Sequence, residues 1–339
     1  MSPTSYQLLH PAAQIYWLFS FCANLSLNIV IIVDYLCSPQ ILNVSESKVH
    51  RSGFVNIIGS PNVGKSTLMN NLVGERLSII TSKAQTTRHR IFGIVNGEDF
   101  QIVYSDTPGV LNPSYKLQEG MMNFVKSALV DADLFLLVTD IFEDAVANEA
   151  IFEKLVKSQR PTLVILNKID LGDQERIEER VKYWAEKVPG ADILPLSALH
   201  KANTEFVFDW IIKHLPEGPA YYDKDTLTDR PERFFTSEII REKILQNYRK
   251  EIPYSVEVEI ESFQETEKLN HIRAIIYVAR DSQKGILIGH KGAALNKTGT
   301  EARKDLEKFF DKKVYLELFV KVNKDWRSDE NQLKRLGYL

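Results

Sequence analysis

Beyond residue 37 the 339-residue chain has no cysteine; its only two, Cys22 and Cys37, lie near the N-terminus. A disulfide framework or a thiolate zinc site is thereby excluded for everything downstream. Histidine is also sparse, with seven residues, no HExxH and no close His/Cys set. A transition-metal enzyme does not fit, and any metal is expected to be a hard ion bound by oxygen. Charge of one sign is lacking too: the formal net charge is −3. It is unevenly divided, since residues 229–339 hold 22 Lys/Arg against 19 Asp/Glu and the residues before them 20 against 26. That imbalance permits a polyanionic partner without requiring one. With 44% hydrophobic and 26% charged residues, the chain is too apolar for disorder and too long for one small core. Two globular domains are expected.

Lys and Arg are absent before Lys48, so the charged start of a secretory signal is missing. Ile15 to Cys37 is an apolar stretch of about membrane-spanning length, broken by Ser20, Asn24, Ser26, Asn28 and Asp34. With Lys48 and Arg51 behind it, residues 1–50 read either as an extension with a single anchor or as a segment foreign to the natural protein, which would then start at Val49. The polar interruptions disfavour an anchor.

What is present begins with Phe54-Val-Asn-Ile-Ile, a short β-branched apolar run entering Gly59-Ser60-Pro61-Asn62-Val63-Gly64-Lys65-Ser66, with Thr67 to Val73 helical in pattern. Strand, phosphate loop and helix follow one another. The glycines let the amides around Asn62, Val63 and Gly64 turn toward a β-phosphate, Lys65 reaches β/γ oxygens, and Ser66 offers a magnesium ligand. Three further motifs each follow an apolar strand. Phe100–Tyr104 leads to Asp106-Thr107-Pro108-Gly109, a magnesium-holding carboxylate and a γ-phosphate-sensing amide; Thr162–Leu166 leads to Asn167-Lys168-Ile-Asp170, whose carboxylate accepts from guanine N1 and N2 and so selects GTP over ATP. Ile193–Leu196 leads to Ser197-Ala198-Leu199, where the Ala198 amide is expected to reach guanine O6. Strands at 90–96 and 134–140 and helices near 118–129, 147–157, 175–187 and 204–214 complete a doubly wound, mostly parallel six-stranded sheet over residues 52–218.

Thr81 to Arg90 (TSKAQTTRHR) stands where a first switch belongs, and Thr86 or Thr87 is expected to complete magnesium coordination. His89 and Arg90 read as solvated loop side chains. Val110 follows Asp106–Gly109 where Ras-like GTPases place a water-orienting glutamine. Intrinsic hydrolysis is therefore expected to be slow and to lean on Lys65 and magnesium, with Asn62 as a candidate helper.

His214 to Asp229 is rich in proline, glycine and charge, and residues 219–229 within it read as a linker. After them the pattern gives a helix (234–248), two alternating strands (255–263 and 271–279), a short helix (284–288), a longer helix (293–310) and a strand (314–322), an α-β-β-α-α-β order over residues 230–325. Ile288-Gly289-His290-Lys291-Gly292 lies between the last two helices, as in the loop with which KH domains clamp the backbone of about four nucleotides. Ile286 and Ile288 would lie under bases. The apolar positions of 293–310, and Trp326 in the 326–339 tail, read as core.

Taken in order, the phosphate loop, the Thr86-Thr87-Arg88-His89-Arg90 switch, DTPG, NKID, SAL and the Ile288–Gly292 loop make residues 52–339 resemble the Era family of bacterial GTPases. The resemblance implies a P-loop NTPase domain followed by a type II KH domain, a magnesium cofactor, and an Asn62-bound potassium ion in place of an arginine finger. It further implies a monomeric cytoplasmic partner of GTP, GDP, 16S ribosomal RNA and the 30S subunit, sometimes peripheral to the inner membrane. Two other readings are a GTPase of another class whose C-terminal domain docks protein or tRNA, and a GTP-holding RNA scaffold without turnover. Ordering of residues 81–90 and 107–120 by GTP is expected to change how the two domains pack, linking nucleotide state to RNA affinity.

Overall fold

In a computed structural model, described here for residues 49–143 and 148–339, the apolar runs become the central strands of a six-stranded sheet ordered β2-β3-β1-β4-β5-β6. These strands are β1 (Arg51–Ile58), β2 (Ile91–Asn96), β3 (Phe100–Asp106), β4 (Leu134–Asp140), β5 (Thr162–Asn167) and β6 (Asp192–Pro195). Only β2 runs antiparallel to its neighbour. Every residue of β4 and β5 is buried, as a sheet covered on both faces requires. The covering helices are α1 (Lys65–Val73), α2 (Lys116–Asp131), α3 (Glu149–Lys157), α4 (Gln174–Lys187) and α5 (Thr204–His214). Their starts follow side-chain caps where the sequence supplies them: Asn148 accepts from the Ile151 amide at 3.2 Å and Asp173 from the Arg176 amide at 2.9 Å.

The second apolar core belongs to α6 (Glu232–Asn247), α7 (Ile252–Ser255), β7 (Glu257–Glu265), β8 (Leu269–Val278), α8 (Asp281–Ile288), α9 (Ala293–Phe310) and β9 (Lys313–Val322). β8 pairs antiparallel with β7 and parallel with β9, the α-β-β-α-α-β order read from the sequence. The first of these strands starts at Glu257 and not at 255, because Ile252–Ser255, with Pro253 near its start, forms a helical turn instead. A last helix, α10 (Glu330–Arg335), lies in the tail, where Trp326 is fully buried and donates its indole N–H to Ser255 O at 3.2 Å.

The linker is not a loose tether. It runs along the outer edge of β2, where the Ile94 amide donates to Leu227 O at 2.8 Å and the Thr228 hydroxyl to Phe92 O at 2.7 Å, and past the start of β3, where Gln101 binds the backbone of Tyr221 and Tyr222. Its backbone, with the Thr228 hydroxyl, supplies hydrogen bonds to a strand edge that would otherwise be open. Among the described residues no helix is long and apolar enough to cross a membrane. The Ile15–Cys37 stretch, and residues 1–48 that would be foreign to a natural chain starting at Val49, lie outside the described residues.

Candidate GTP site and its docking surface

The loop between β1 and α1 turns on residues that tolerate left-handed or tightly approached backbone. Gly64 sits at φ 102°, and a Cβ there would stand 2.1 Å from Asn167 Nδ2; at Gly59 it would stand 2.0 Å from Val138 O. No side chain fits at either position. Asn62 also has positive φ, 65°. Its side-chain amide, oriented to satisfy both ends, donates to Lys83 O at 2.8 Å and accepts from the Ala84 amide at 3.3 Å, which ties the phosphate loop to the first switch. Lys65 folds back so that Nζ donates to Gly59 O at 3.0 Å and Ser60 O at 2.7 Å. Burial lowers its pKa to about 8, against the opposing pull of Asp106 and Glu143. Behind the loop the Glu143 carboxylate accepts from the hydroxyls of Ser60 and Thr139.

Three oxygen donors converge beside the loop. The Ser66 hydroxyl donates to Asp106 Oδ2 at 2.7 Å and lies 2.8 Å from Thr87 Oγ1, which is itself 3.4 Å from the same carboxylate oxygen. The other oxygen, Asp106 Oδ1, is buried without a partner. Burial raises the Asp106 pKa while hydrogen bonds from Ser66 and the charge of Lys65 oppose that. A hard divalent cation suits this set, since it would satisfy the orphaned oxygen and offset the burial cost. Thr86 is not part of it: its hydroxyl donates to Lys83 O at 2.6 Å and meets Thr81 Oγ1 at 2.7 Å. Thr107 donates to Ile57 O, and the Val110 amide to Gly59 O at 3.0 Å, with the Val110 side chain buried. Gly109 lies so close to Pro61 that a Cβ would meet its Cα at 2.7 Å, seating the start of the second switch on the phosphate loop.

At the far end of the cleft, of about 340 Å³, Asn167 joins the motifs. Its Nδ2 donates to Val63 O at 2.7 Å and its Oδ1 accepts from the Ala198 amide at 2.9 Å. The Ala198 amide, expected from sequence at guanine O6, is thus bonded within the protein here. Lys168 bonds Asp140 at 2.6 Å, while Asp170 accepts from Ser197 Oγ at 2.5 Å. The exposed Leu171 and Leu199 line the opening, where a flat base would slide between apolar surfaces.

The switch residues read as solvated are buried instead. Arg90 donates to Ser105 Oγ at 2.7 Å and to both oxygens of Asp131, at 2.6 and 2.8 Å. The His89 ring stacks on Tyr338 with centroids 4.2 Å apart and meets Phe234 and Phe124 edge-on or tilted. Burial, with Arg230, Arg241 and Arg88 nearby, pushes the His89 pKa down to about 3, so the ring is neutral. Local sequence did not reveal this because the His89 ring is covered by Tyr338 of the tail and Phe234 of α6, more than a hundred residues away, and Arg90 by Ser105 and Asp131 on β3 and α2.

That packing belongs to a docking surface the motifs did not announce. Arg76 Nη2 bonds both oxygens of the fully buried Glu242 at 2.5 Å, and the Ile80 amide reaches the same carboxylate at 3.3 Å. Arg241 donates to Thr86 O at 2.5 Å, the Lys83 ammonium to the carbonyls of Leu245 and Tyr248, and Arg88 to Val256 O at 2.7 Å and Glu257 at 2.9 Å. The second switch is held by the tail: the Leu117 amide, one of the unpaired donors at the start of α2, finds Arg327 O at 3.0 Å. The one available signal was the density of charge on α6 at 238, 241, 242 and 243, on a helix also carrying the buried Ile240 and Ile244.

Gly289 to Gly292 form a tight turn between α8 and α9, with positive φ at Gly289, Lys291 and Gly292. A Cβ on Gly289 would press on Ala294 at 2.7 Å. His290 and Lys291 are exposed, Ile286 is 50% exposed, and Ile288 is partly buried. The turn opens directly onto the N-terminus of an 18-residue helix, whose free amides favour an anion.

Comparison with known proteins agrees with this arrangement. Residues 54–168 match the model of the 50S ribosome-binding GTPase family and residues 251–327 that of the KH domain. The GTPase Era of Clostridium kluyveri is 46% identical over 290 residues, covering 85% of this chain and 99% of that protein. That of Staphylococcus haemolyticus is 42% identical over 292 residues, covering 86% and 98%. Among solved structures, Era in complex with MgGDPNP and nucleotides 1506–1542 of 16S ribosomal RNA superposes with a TM-score of 0.82 at 38% identity, covering 85% of this chain and 99% of that one. An Aquifex aeolicus Era variant bound to GDP and aluminium fluoride gives 0.81 at the same identity and coverage.

Proposed function

The chain belongs to the Era family of GTPases, and from that premise we propose that it is a GTP-hydrolysing switch that grips the 3′ region of small-subunit ribosomal RNA and assists assembly of the 30S subunit. The observation that carries the hydrolytic half is the convergence of the Ser66 and Thr87 hydroxyls on Asp106 Oδ2, beside an Asp106 Oδ1 left without a partner, because a protein that merely retained GTP would not need it. A magnesium ion held there would neutralise developing phosphate charge. The protein's own contribution is to hold the phosphates against the loop amides and Lys65, to shield them with the closed first switch, and to read guanine through Asp170.

Water attacks the γ-phosphorus while the bond to the β-phosphate oxygen breaks, and Val110 offers that water no hydrogen bond. Turnover without a partner is accordingly slow. Asn62, whose amide sits among the backbone oxygens of Ser82 and Lys83, is the candidate ligand for a potassium ion that would lend charge. Replacement of potassium by sodium should then lower turnover and leave GTP affinity in place.

The RNA half rests on the Gly289–Gly292 turn, its exposed Lys291 and the helix N-terminus behind it, and on the RNA-bound relative. We take 52–218 and 230–325 as the domain limits, with 219–229 as strap; the two apolar cores support the division, although Phe234 and Phe235 at the start of α6 pack into the first. The test is binding of an RNA matching nucleotides 1506–1542 of 16S ribosomal RNA to the wild type and to Gly292→Asp. A carboxylate at the turn should repel phosphate and abolish binding, with GTP affinity unchanged; RNA binding that survives this change would contradict the assignment.

A further inference from the structure

The end of α6 is held from two sides. From the nucleotide side, the Lys83 ammonium donates to the carbonyls of Leu245 and Tyr248. These are among the carbonyls that a helix end leaves unpaired, and the cation also meets the negative end of the helix dipole. From the other side, the buried Tyr248 phenol donates to Leu287 O at 2.7 Å and accepts from Thr298 Oγ1 at 3.3 Å. Asn247 Nδ2 donates to Glu301 at 2.6 Å and to Thr298 at 3.3 Å. Leu287 is the residue before Ile288 at the end of α8; Thr298 and Glu301 lie on α9. Two adjacent residues thus grip both helices that flank the Gly289–Gly292 turn.

Lys83 stands four residues before Thr87, whose hydroxyl meets Ser66 at 2.8 Å in the cleft. The two share one switch segment. We propose that Asn247–Tyr248 is the junction through which nucleotide state sets the geometry of the RNA-clamping turn, with Lys83 as the reader and Tyr248 as the positioning residue. When the switch opens, Lys83 withdraws, the last turn of α6 loses its cation and frays, and the phenol no longer fixes α8 against α9. Because equilibrium coupling is reciprocal, RNA that seats the turn favours the docked Lys83 and hence the triphosphate. The Ile288–Gly292 reading as an RNA clamp underlies one arm of the test only.

Hydrogen exchange of backbone amides 284–292 is measured on the full chain loaded with GDPNP or GDP, for the wild type, Lys83→Ala, Lys83→Arg and Tyr248→Phe. The wild type should exchange about fivefold or more slowly with GDPNP, at the lower end of typical allosteric couplings. Lys83→Ala and Tyr248→Phe should erase that difference and Lys83→Arg preserve it. In the second arm, the ratio of RNA affinities between the two nucleotide states should fall toward one in the same two variants. A wild type without an exchange difference, or variants that keep it unaltered, overturns the proposal. An intact exchange pattern with no RNA bound in either state leaves the junction standing and removes the RNA reading instead.

Discussion

Thr86 and Thr87 are chemically identical neighbours, and no spacing argument separates them. What separates them is the turn of the backbone, which ties one hydroxyl to Lys83 O and brings the other to Ser66 and Asp106. Thr87→Ala should therefore lower single-turnover GTP hydrolysis by ~100-fold or more, in the range seen when one preorganised charge-stabilising group is lost. Thr86→Ala should change it little; equal losses in the two variants would refute the assignment. His89 gives a second residue-scale expectation. Its pKa is about 3 in the fold and about 6.5 in an unfolded chain, so the unfolded state binds the extra proton between those values. The stability from burying a neutral ring is present above pH 6.5 and is lost as pH falls toward 3. Urea midpoints should drop between pH 7.5 and pH 5, and His89→Phe, which keeps the stacking on Tyr338, should flatten that part of the profile.

At the scale of elements, the helix that explains most is α6. Its buried Glu238, Arg241 and Glu242 make no sense for a helix facing one apolar core, and become intelligible once the first switch is seen lying against it. Glu242→Gln weakens the partner of Arg76, Lys243 and the Ile80 amide. It should lower the melting temperature more in the GDPNP-bound form than in the GDP-bound form, since only the former needs the switch docked. An equal drop in both forms would place Glu242 in the fold alone. Trp326 is the contrasting case, a fully buried indole in the tail. Trp326→Ala should cost roughly 3–5 kcal/mol in either nucleotide state, read from denaturant unfolding.

At the scale of the whole molecule, the sequence disclosed the two folds and nearly every motif, because each motif is a run of neighbours whose strand or helix context is itself local. Phe54–Ser66, Asp106–Gly109 and Asn167–Asp170 needed nothing remote to be recognised. Their union needed remote information. Arg88 finds Glu257, Arg241 finds Thr86, and His89 finds Tyr338 across separations that no periodicity encodes. The polar residues 219–229 likewise read as a free tether because nothing in them names β2 as the strand edge they satisfy. Both switches are thereby built into the contact between the domains, the first by α6 and the second by the tail, so a change at the γ-phosphate is expected to reach the RNA-binding half.

The most direct measurement of that claim is multiple-turnover GTP hydrolysis by the full chain, with and without a single-stranded RNA matching the 3′ end of the small-subunit ribosomal RNA. Stimulation by that RNA, absent in Gly292→Asp, is the predicted result. Hydrolysis at the same rate with saturating bound RNA as without it would contradict a coupled switch and leave two independent domains on one chain.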